Sequence, residues 1–303
     1  MGRELAAAFP AARHLFQEVD DALSDRLSRL IFEGPEADLV LTENAQPALM
    51  AVSLAVVRVL EAEGGLKFGQ HVSFVAGHSL GEYSALAASG SIAVGDTARL
   101  LRQRGLAMQA AVPVGEGAMA ALLGAELDQA REIAAVAAKG EGGAEGEVCD
   151  VANDNAPGQI VLSGHKAAIE RAMKLAADRG IRRAILLPVS APFHCALMKP
   201  AAEVMAKALE KTEFAPALVP HYANVTAQPV HEPTRTRELL VEQVTAMVRW
   251  RESVMAMKEA GVDTMVEIGA GKVLAGLIKR IDRDIATQSV LLPAEIEAFL
   301  KTL

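Results

Sequence analysis

Cysteine is scarce. The 303 residues hold two, Cys149 and Cys195, too few for a disulfide framework or a dedicated metal site, so both are read as reduced thiols. Proline is sparse at 13, and with 51% hydrophobic and 22% charged residues the composition excludes disorder, collagen and low-complexity repeats. Positive charge is in deficit: 30 Lys and Arg against 38 Asp and Glu give a net charge of −8, which disfavours broad attraction to nucleic acid or an anionic membrane. No long apolar run exists. The most apolar stretch, 48–57, is broken by Ser53 and ended by Arg58, far short of the roughly 20 residues a span needs, and is expected to be a buried helix. An amphipathic pattern begins directly after Glu4 with no apolar signal core, and a cytoplasmic location is the expectation.

What is present suffices for one large domain or two intimate ones. Helical spacing over 5–23 and 42–60 precedes the apolar run 72–76, and strands alternating with helices imply a parallel sheet. Asp96 is expected to cap a helix reaching Ala110, after which Val112-Pro113-Val114-Gly115-Glu116-Gly117 breaks the pattern. The chain then reads as strand 119–123, helix 128–138, strand 148–153, strand 159–163, helix 166–179 and strand 183–188, a βαββαβ order. Glycine-rich 140–146 lies inside it and is expected to be a mobile surface loop. Strands near 218–223 and 265–268 and helices at 238–247, 252–260 and 274–281 resume the alternation. The expected architecture is α/β, a core of residues 1–115 and 189–303 with a βαββαβ subdomain inserted at 116–188.

The segment from His71 through Gly77-His78-Ser79-Leu80-Gly81-Glu82 runs an apolar strand into Gly-x-Ser-x-Gly and then into a helix, which is a nucleophile elbow. Both glycines are expected to be needed because a side chain at either would collide with the neighbouring strand or helix. Ser79 is thereby held at a helix N-terminus, where N–H groups and the helix dipole favour negative charge. A serine nucleophile needs a base. Of the downstream histidines His165, His194, His221 and His231, His194 is the candidate, because Ser190-Ala191-Pro192-Phe193-His194-Cys195 stands where the insert returns to the core. His78 points away from Ser79 by strand alternation, and no acid is singled out. Gly269-Ala270-Gly271-Lys272 is not a phosphate loop, since Val266 and Val273 occupy places that need Gly and Ser or Thr.

The elbow, Arg104-Gly105 with Met108, and Ala191-Pro192-Phe193-His194 through Met198 together resemble malonyl-CoA:acyl-carrier-protein transacylases. The resemblance continues through Asn153-Asp154-Asn155-Ala156-Pro157-Gly158-Gln159, Gln243 ahead of Trp250, and Val266 through Leu274. It implies a hydrolase-like α/β core with a ferredoxin-like insert. It also implies transfer of malonyl from malonyl-CoA to the phosphopantetheine thiol of acyl carrier protein in fatty-acid synthesis, through a malonyl-Ser79 intermediate with His194 relaying the proton. A main-chain carbonyl at Gln243 would orient His194, the Leu80 N–H would serve the oxyanion, and Arg104, placed on the helix after the elbow, would clamp the malonyl carboxylate. Phe193 would narrow the acyl pocket against an α-methyl group, and His78 and Asn153 are counted with the substrate-binding residues. No metal or cofactor is implied, the CoA thioester being a substrate. The implied partners are malonyl-CoA and acyl carrier protein, and the chain is expected to be a monomer. Arg179, Arg182, Arg183, Lys272, Lys279 and Arg280 are the cations that could receive an acidic carrier.

One departure stands out. The family opens with a strand and a Gly-Gln-Gly-Ser-Gln loop that supplies a second oxyanion N–H, whereas Met1-Gly2-Arg3-Glu4-Leu5 resembles the family's segment just beyond that loop, so an unpaired place in the sheet beside the elbow is expected. Two other functions stay open on the residues: a serine thioesterase or esterase, against which Arg104 speaks, and a weakly active chain that only binds acyl carrier protein.

Overall fold

The computed structural model describes residues 1–140, 146–181 and 183–303; most of the glycine-rich stretch expected as a surface loop, and Arg182, lie outside the described residues. The chain begins with α1 (Arg3–Ala8), α2 (Pro10–Leu23), α3 (Leu27–Glu33), α4 (Glu36–Leu39) and α5 (Thr42–Gly64). Among the described residues α5 is the one helix long and apolar enough to cross a membrane, but 67% of its apolar window is buried inside the protein. It is the central core helix. Its Met50, Leu54, Val56 and Leu60 pack with Leu15 and Phe16 of α2, each fully buried apolar side chain contributing about 1.5–3 kcal/mol.

The elbow strand β1 (Val75–Ala76) is followed by α6 (Leu80–Ala88) and α7 (Val94–Ala110). The run expected as a strand over 72–76 shortens to two residues. The chain is still turning at Val72, whose carbonyl accepts from Gly69 N–H, and pairing begins only where Val75 N–H reaches Pro220. Asp96 is not a cap: α7 starts at Val94, and Asp96 lies in its first turn paired with Arg99 at 2.6 Å. There its charge still complements the helix dipole.

The next stretch holds β2 (Gly117–Leu123), α8 (Leu127–Ala137), β3 (Cys149–Ala156), β4 (Gln159–His165), α9 (Lys166–Asp178) and β5 (Arg183–Leu186). The strands form one antiparallel sheet in the order β3-β4-β2-β5. Ile133 and Ile169 of the two helices bury against Leu122, Ile160 and Leu162, a core separate from that around α5. Beyond its expected end β3 runs on to Ala156, still paired with β4, while its other edge bonds a segment of the core: Asp154 N–H donates to Val248 O, and Val248 N–H to Ala152 O. The buried Asp154 carboxylate pairs with Arg251 at 2.8 Å. This stitch brings Asn155 beneath the elbow.

The remainder comprises α10 (Lys199–Glu210), β6 (His221–Tyr222), β7 (Pro229–Val230), α11 (Pro233–Gln243), α12 (Trp250–Glu259), β8 (Thr264–Ile268), α13 (Val273–Ile281), β9 (Ala286–Val290) and α14 (Pro293–Leu300). The helix expected at 238–247 instead starts at Pro233, a residue suited to a first helical turn, and ends at Gln243. The parallel sheet exists in pieces. β1 pairs parallel with β6, which pairs antiparallel with β7, while β8 and β9 form a separate parallel pair. Among the described residues no strand pairs with the second edge of β1 or of β8, although Phe74, Ala76 and Met265 border one apolar cluster around Trp250 and Leu277.

Candidate active site

The elbow is held by three side-chain hydrogen bonds. Ser79 has φ 53 and ψ −112, a backbone region that costs a non-glycine residue of order 1–3 kcal/mol unless its surroundings fix it. Asn224 does so from both sides of the turn, accepting from Ser79 N–H at 2.7 Å and donating to Gly77 O at 2.7 Å. Gln243 adds a donor to Ser79 O at 3.0 Å. A Cβ at Gly77 would overlap the Gly81 carbonyl, whereas a Cβ at Gly81 would meet open space. The expectation that both glycines avoid collisions is therefore corrected: Gly77 is required, and what it accommodates is the backbone of Gly81.

His194, itself at φ 57, sets Nε2 2.8 Å from Ser79 Oγ and Nδ1 2.9 Å from Gln243 O. A carbonyl only accepts, so Nδ1 carries the proton, and Nε2 offers its lone pair to the serine hydroxyl. Burial, then the nearby Arg104 charge, pushes the His194 pKa down to about 3, which keeps the ring a neutral base. The insert fixes the loop. Pro192 lies over Gly117 so closely that a Cβ there would overlap its ring, and Asp150 Oδ2 accepts from Ala196 N–H at 2.9 Å. His78 faces away from Ser79 as expected, its Nε2 2.8 Å from Asn155 Oδ1 and its ring 5.8 Å from that of Trp250, and burial lowers its pKa.

Arg104 is 1% exposed. It lies on α7, the helix expected to reach Ala110, and so one helix beyond the elbow helix α6, which ends at Ala88. Gly105 allows α7 to press against the backbone of Thr42 and Glu43 at the start of α5. That approach lets Arg104 Nη1 donate to Gln46 Oε1 at 2.7 Å, while Nη2 donates to Ser79 Oγ at 3.1 Å and to Gln243 Oε1 at 2.9 Å. The Nε atom is buried without a partner among the described residues. Burial pulls the guanidinium pKa down, and Tyr83 and Glu82 pull it back. A cation thus touches the nucleophile in a space shielded from water.

Leu80 is the first residue of α6, and its N–H is one of the donors a helix leaves unused. Phe193 is half-buried between the main core and the Met119–Val161 cluster of the insert. Asn153 is 6% exposed on β3, its Nδ2 buried without a partner among the described residues, and makes no hydrogen bond with Ser79, His194 or Arg104. Its neighbour Asn155 takes the contact with His78. Of the docking cations, Arg179 pairs with Glu132 at 3.1 Å and Lys272 with Glu295 at 3.2 Å, while Arg183, Lys279 and Arg280 are exposed. Sequence reasoning passed over Gln46 and Asn224; His221, set aside as a base in favour of His194, is fully buried with Nε2 3.3 Å from Glu82 Oε1. The signal for Glu82 was available, since it closes the elbow motif.

A serine activated by a neutral imidazole, with a buried cation 3.1 Å from the same oxygen, is suited to moving an acyl group that carries a carboxylate. Known proteins agree with that chemistry. The family model described as acyl transferase domain matches residues 1–294. A malonyl CoA-acyl carrier protein transacylase of Bacillus subtilis (strain 168) is 44% identical over 303 residues, covering 100% of this chain and 92% of that protein. The crystal structure of an acyl-carrier-protein-S-malonyltransferase from Bartonella henselae superposes with a TM-score of 0.95 at 54% identity, covering 100% of this chain and 94% of that one. A malonyl-transacylase solved in complex with a type II PKS acyl-carrier protein gives a TM-score of 0.92 at 40% identity, covering 99% and 94%. The chain therefore belongs to the acyl transferase family, among the malonyl CoA-acyl carrier protein transacylases.

Proposed function

We propose that this chain transfers malonyl from malonyl-CoA to the phosphopantetheine thiol of acyl carrier protein in fatty-acid synthesis. Ser79 Oγ attacks the thioester carbon as His194 Nε2 takes its proton, and the imidazolium returns that proton to the departing CoA sulfur. In the second half the carrier thiol gives its proton to the same nitrogen and attacks the acyl-serine, and the proton returns to Ser79 Oγ. The Leu80 N–H donates to the oxyanion. The Gln243 carbonyl, in the place an acid holds in a serine triad, fixes the tautomer of His194. Phe193 narrows the acyl site, and since one methyl discriminates by only about 1–3 kcal/mol, malonyl is preferred over methylmalonyl by degree. The reaction needs no metal or cofactor, because the thioester arrives activated.

The observation that carries this reading is Arg104, buried and 3.1 Å from Ser79 Oγ. A thioesterase or esterase acting on simple acyl groups has no use for a desolvated cation there. Residues 116–188 are read as a ferredoxin-like insert, supported by the strand order β3-β4-β2-β5, in a hydrolase-like core of 1–115 and 189–303. A cytoplasmic monomer completes the reading. Arg104→Ala tests it: malonyl transfer should fall about a hundredfold, the scale of removing one partner of a buried charge pair, while acetyl transfer is spared. Equal losses on both acyl groups would contradict it.

A further inference from the structure

A second buried charge lies behind Arg104. Glu82 is 1% exposed, yet among the described residues its carboxylate touches no guanidinium or ammonium. Oε2 accepts from Asn224 N–H at 3.1 Å and from Gln243 Nε2–H at 2.8 Å, and Oε1 faces His221 Nε2 at 3.3 Å. Gln243 is the link. Its Oε1 accepts from Arg104 at 2.9 Å while its Nε2 donates to Glu82, so one amide lies head to tail between cation and carboxylate. Each charge alone would be costly at such burial, and the aligned amide dipole joins them into a relayed pair.

We propose that Glu82 is a specificity-determining residue that acts through Gln243 as the counter-ion of Arg104 and sets how strongly Arg104 attracts the substrate carboxylate. This rests on the reading of Arg104 as the carboxylate clamp. With Glu82 present, the relayed pair is neutral before substrate arrives, and the malonyl carboxylate enters against a negative charge held behind the cation. Without that charge the carboxylate meets an uncompensated guanidinium and is held harder. Tight holding in every state of the cycle speeds nothing, and it retains the malonyl-carrier product. Glu82 thus trades some selectivity for release.

The test compares kcat/KM for malonyl-CoA and acetyl-CoA in the intact protein. Glu82→Gln keeps shape, and the introduced carbonyl can accept from the same two N–H groups. The malonyl-to-acetyl ratio should rise roughly threefold or more, the scale of one partly screened charge, and the rise should vanish when Arg104→Ala is added. Exchanging the two groups, Glu82→Gln with Gln243→Glu, moves the carboxylate one hydrogen bond closer to Arg104 and should bring the ratio below wild type. That exchange keeps the test decisive should the single variant fail to fold. An unchanged ratio in Glu82→Gln, a rise that survives Arg104→Ala, or a uniform loss on both substrates overturns the proposal and leaves the clamp standing. A wild-type ratio in Arg104→Ala alone overturns the clamp itself.

Discussion

Ser79 is held at φ 53 by partners more than a hundred residues away, Asn224 and Gln243, so its hydroxyl is aimed by tertiary structure and its identity as nucleophile is local. That division explains what could be read in advance. Ser79 and His194 carry spacing and neighbours that mark them, whereas amides such as Gln46 and Asn224 act through one or two hydrogen bonds and leave no pattern. Asn153 and Asn155 lie only two residues apart on β3, a choice that no composition rule resolves. His194 carries a prediction in pH. Its folded pKa of about 3 lies below the ordinary 6.5, so the unfolded chain binds the proton first; the stability held above pH 6.5 is lost as pH falls toward 3. The free-enzyme kcat/KM for malonyl-CoA should accordingly run flat from about pH 8 to about pH 5. An inflection near 6.5 would show a ring more solvated than the structure has it.

At the scale of elements, the elbow rests on the approach of two backbones. Gly77→Ala should lower the urea midpoint and the activity together, with a cost of about 2 kcal/mol or more, because the overlapped atoms belong to the Gly81 main chain and cannot swing aside. Gly81→Ala lies inside α6 facing open space, so it should leave the midpoint unchanged or raise it, with a stability gain of up to about 1 kcal/mol. The reverse order would place the tight contact elsewhere. The βαββαβ unit was legible nearly residue by residue because each element buries one face against its own core. The main sheet was legible only in part. Strands were expected at 72–76 and near 218–223, but β1 and β6 are only two residues each, β7 and β9 were not expected, and the helices at 199–210 and 293–300 open on Lys199-Pro200 and Pro293, which read as turns.

For the whole molecule, a net charge of −8 sets an unfavourable long-range field for an acidic carrier, so docking depends on local cations. Exposed Arg183 and Lys279 are the ones to reverse: Arg183→Glu with Lys279→Glu should raise the KM for carrier protein several-fold, and that for malonyl-CoA little, with added salt narrowing the difference. An unchanged carrier KM at low ionic strength would move the docking surface. Charge balance was readable from composition, but which cations stay free was not, since Arg179 and Lys272 are engaged by Glu132 and Glu295 from elsewhere in the fold. The central claim is covalent transfer through one serine, and the intact mass of the protein after incubation with malonyl-CoA tests it most directly. Wild type should gain the mass of one malonyl group and Ser79→Ala none; an adduct that persists on Ser79→Ala, or none on wild type, would contradict the account.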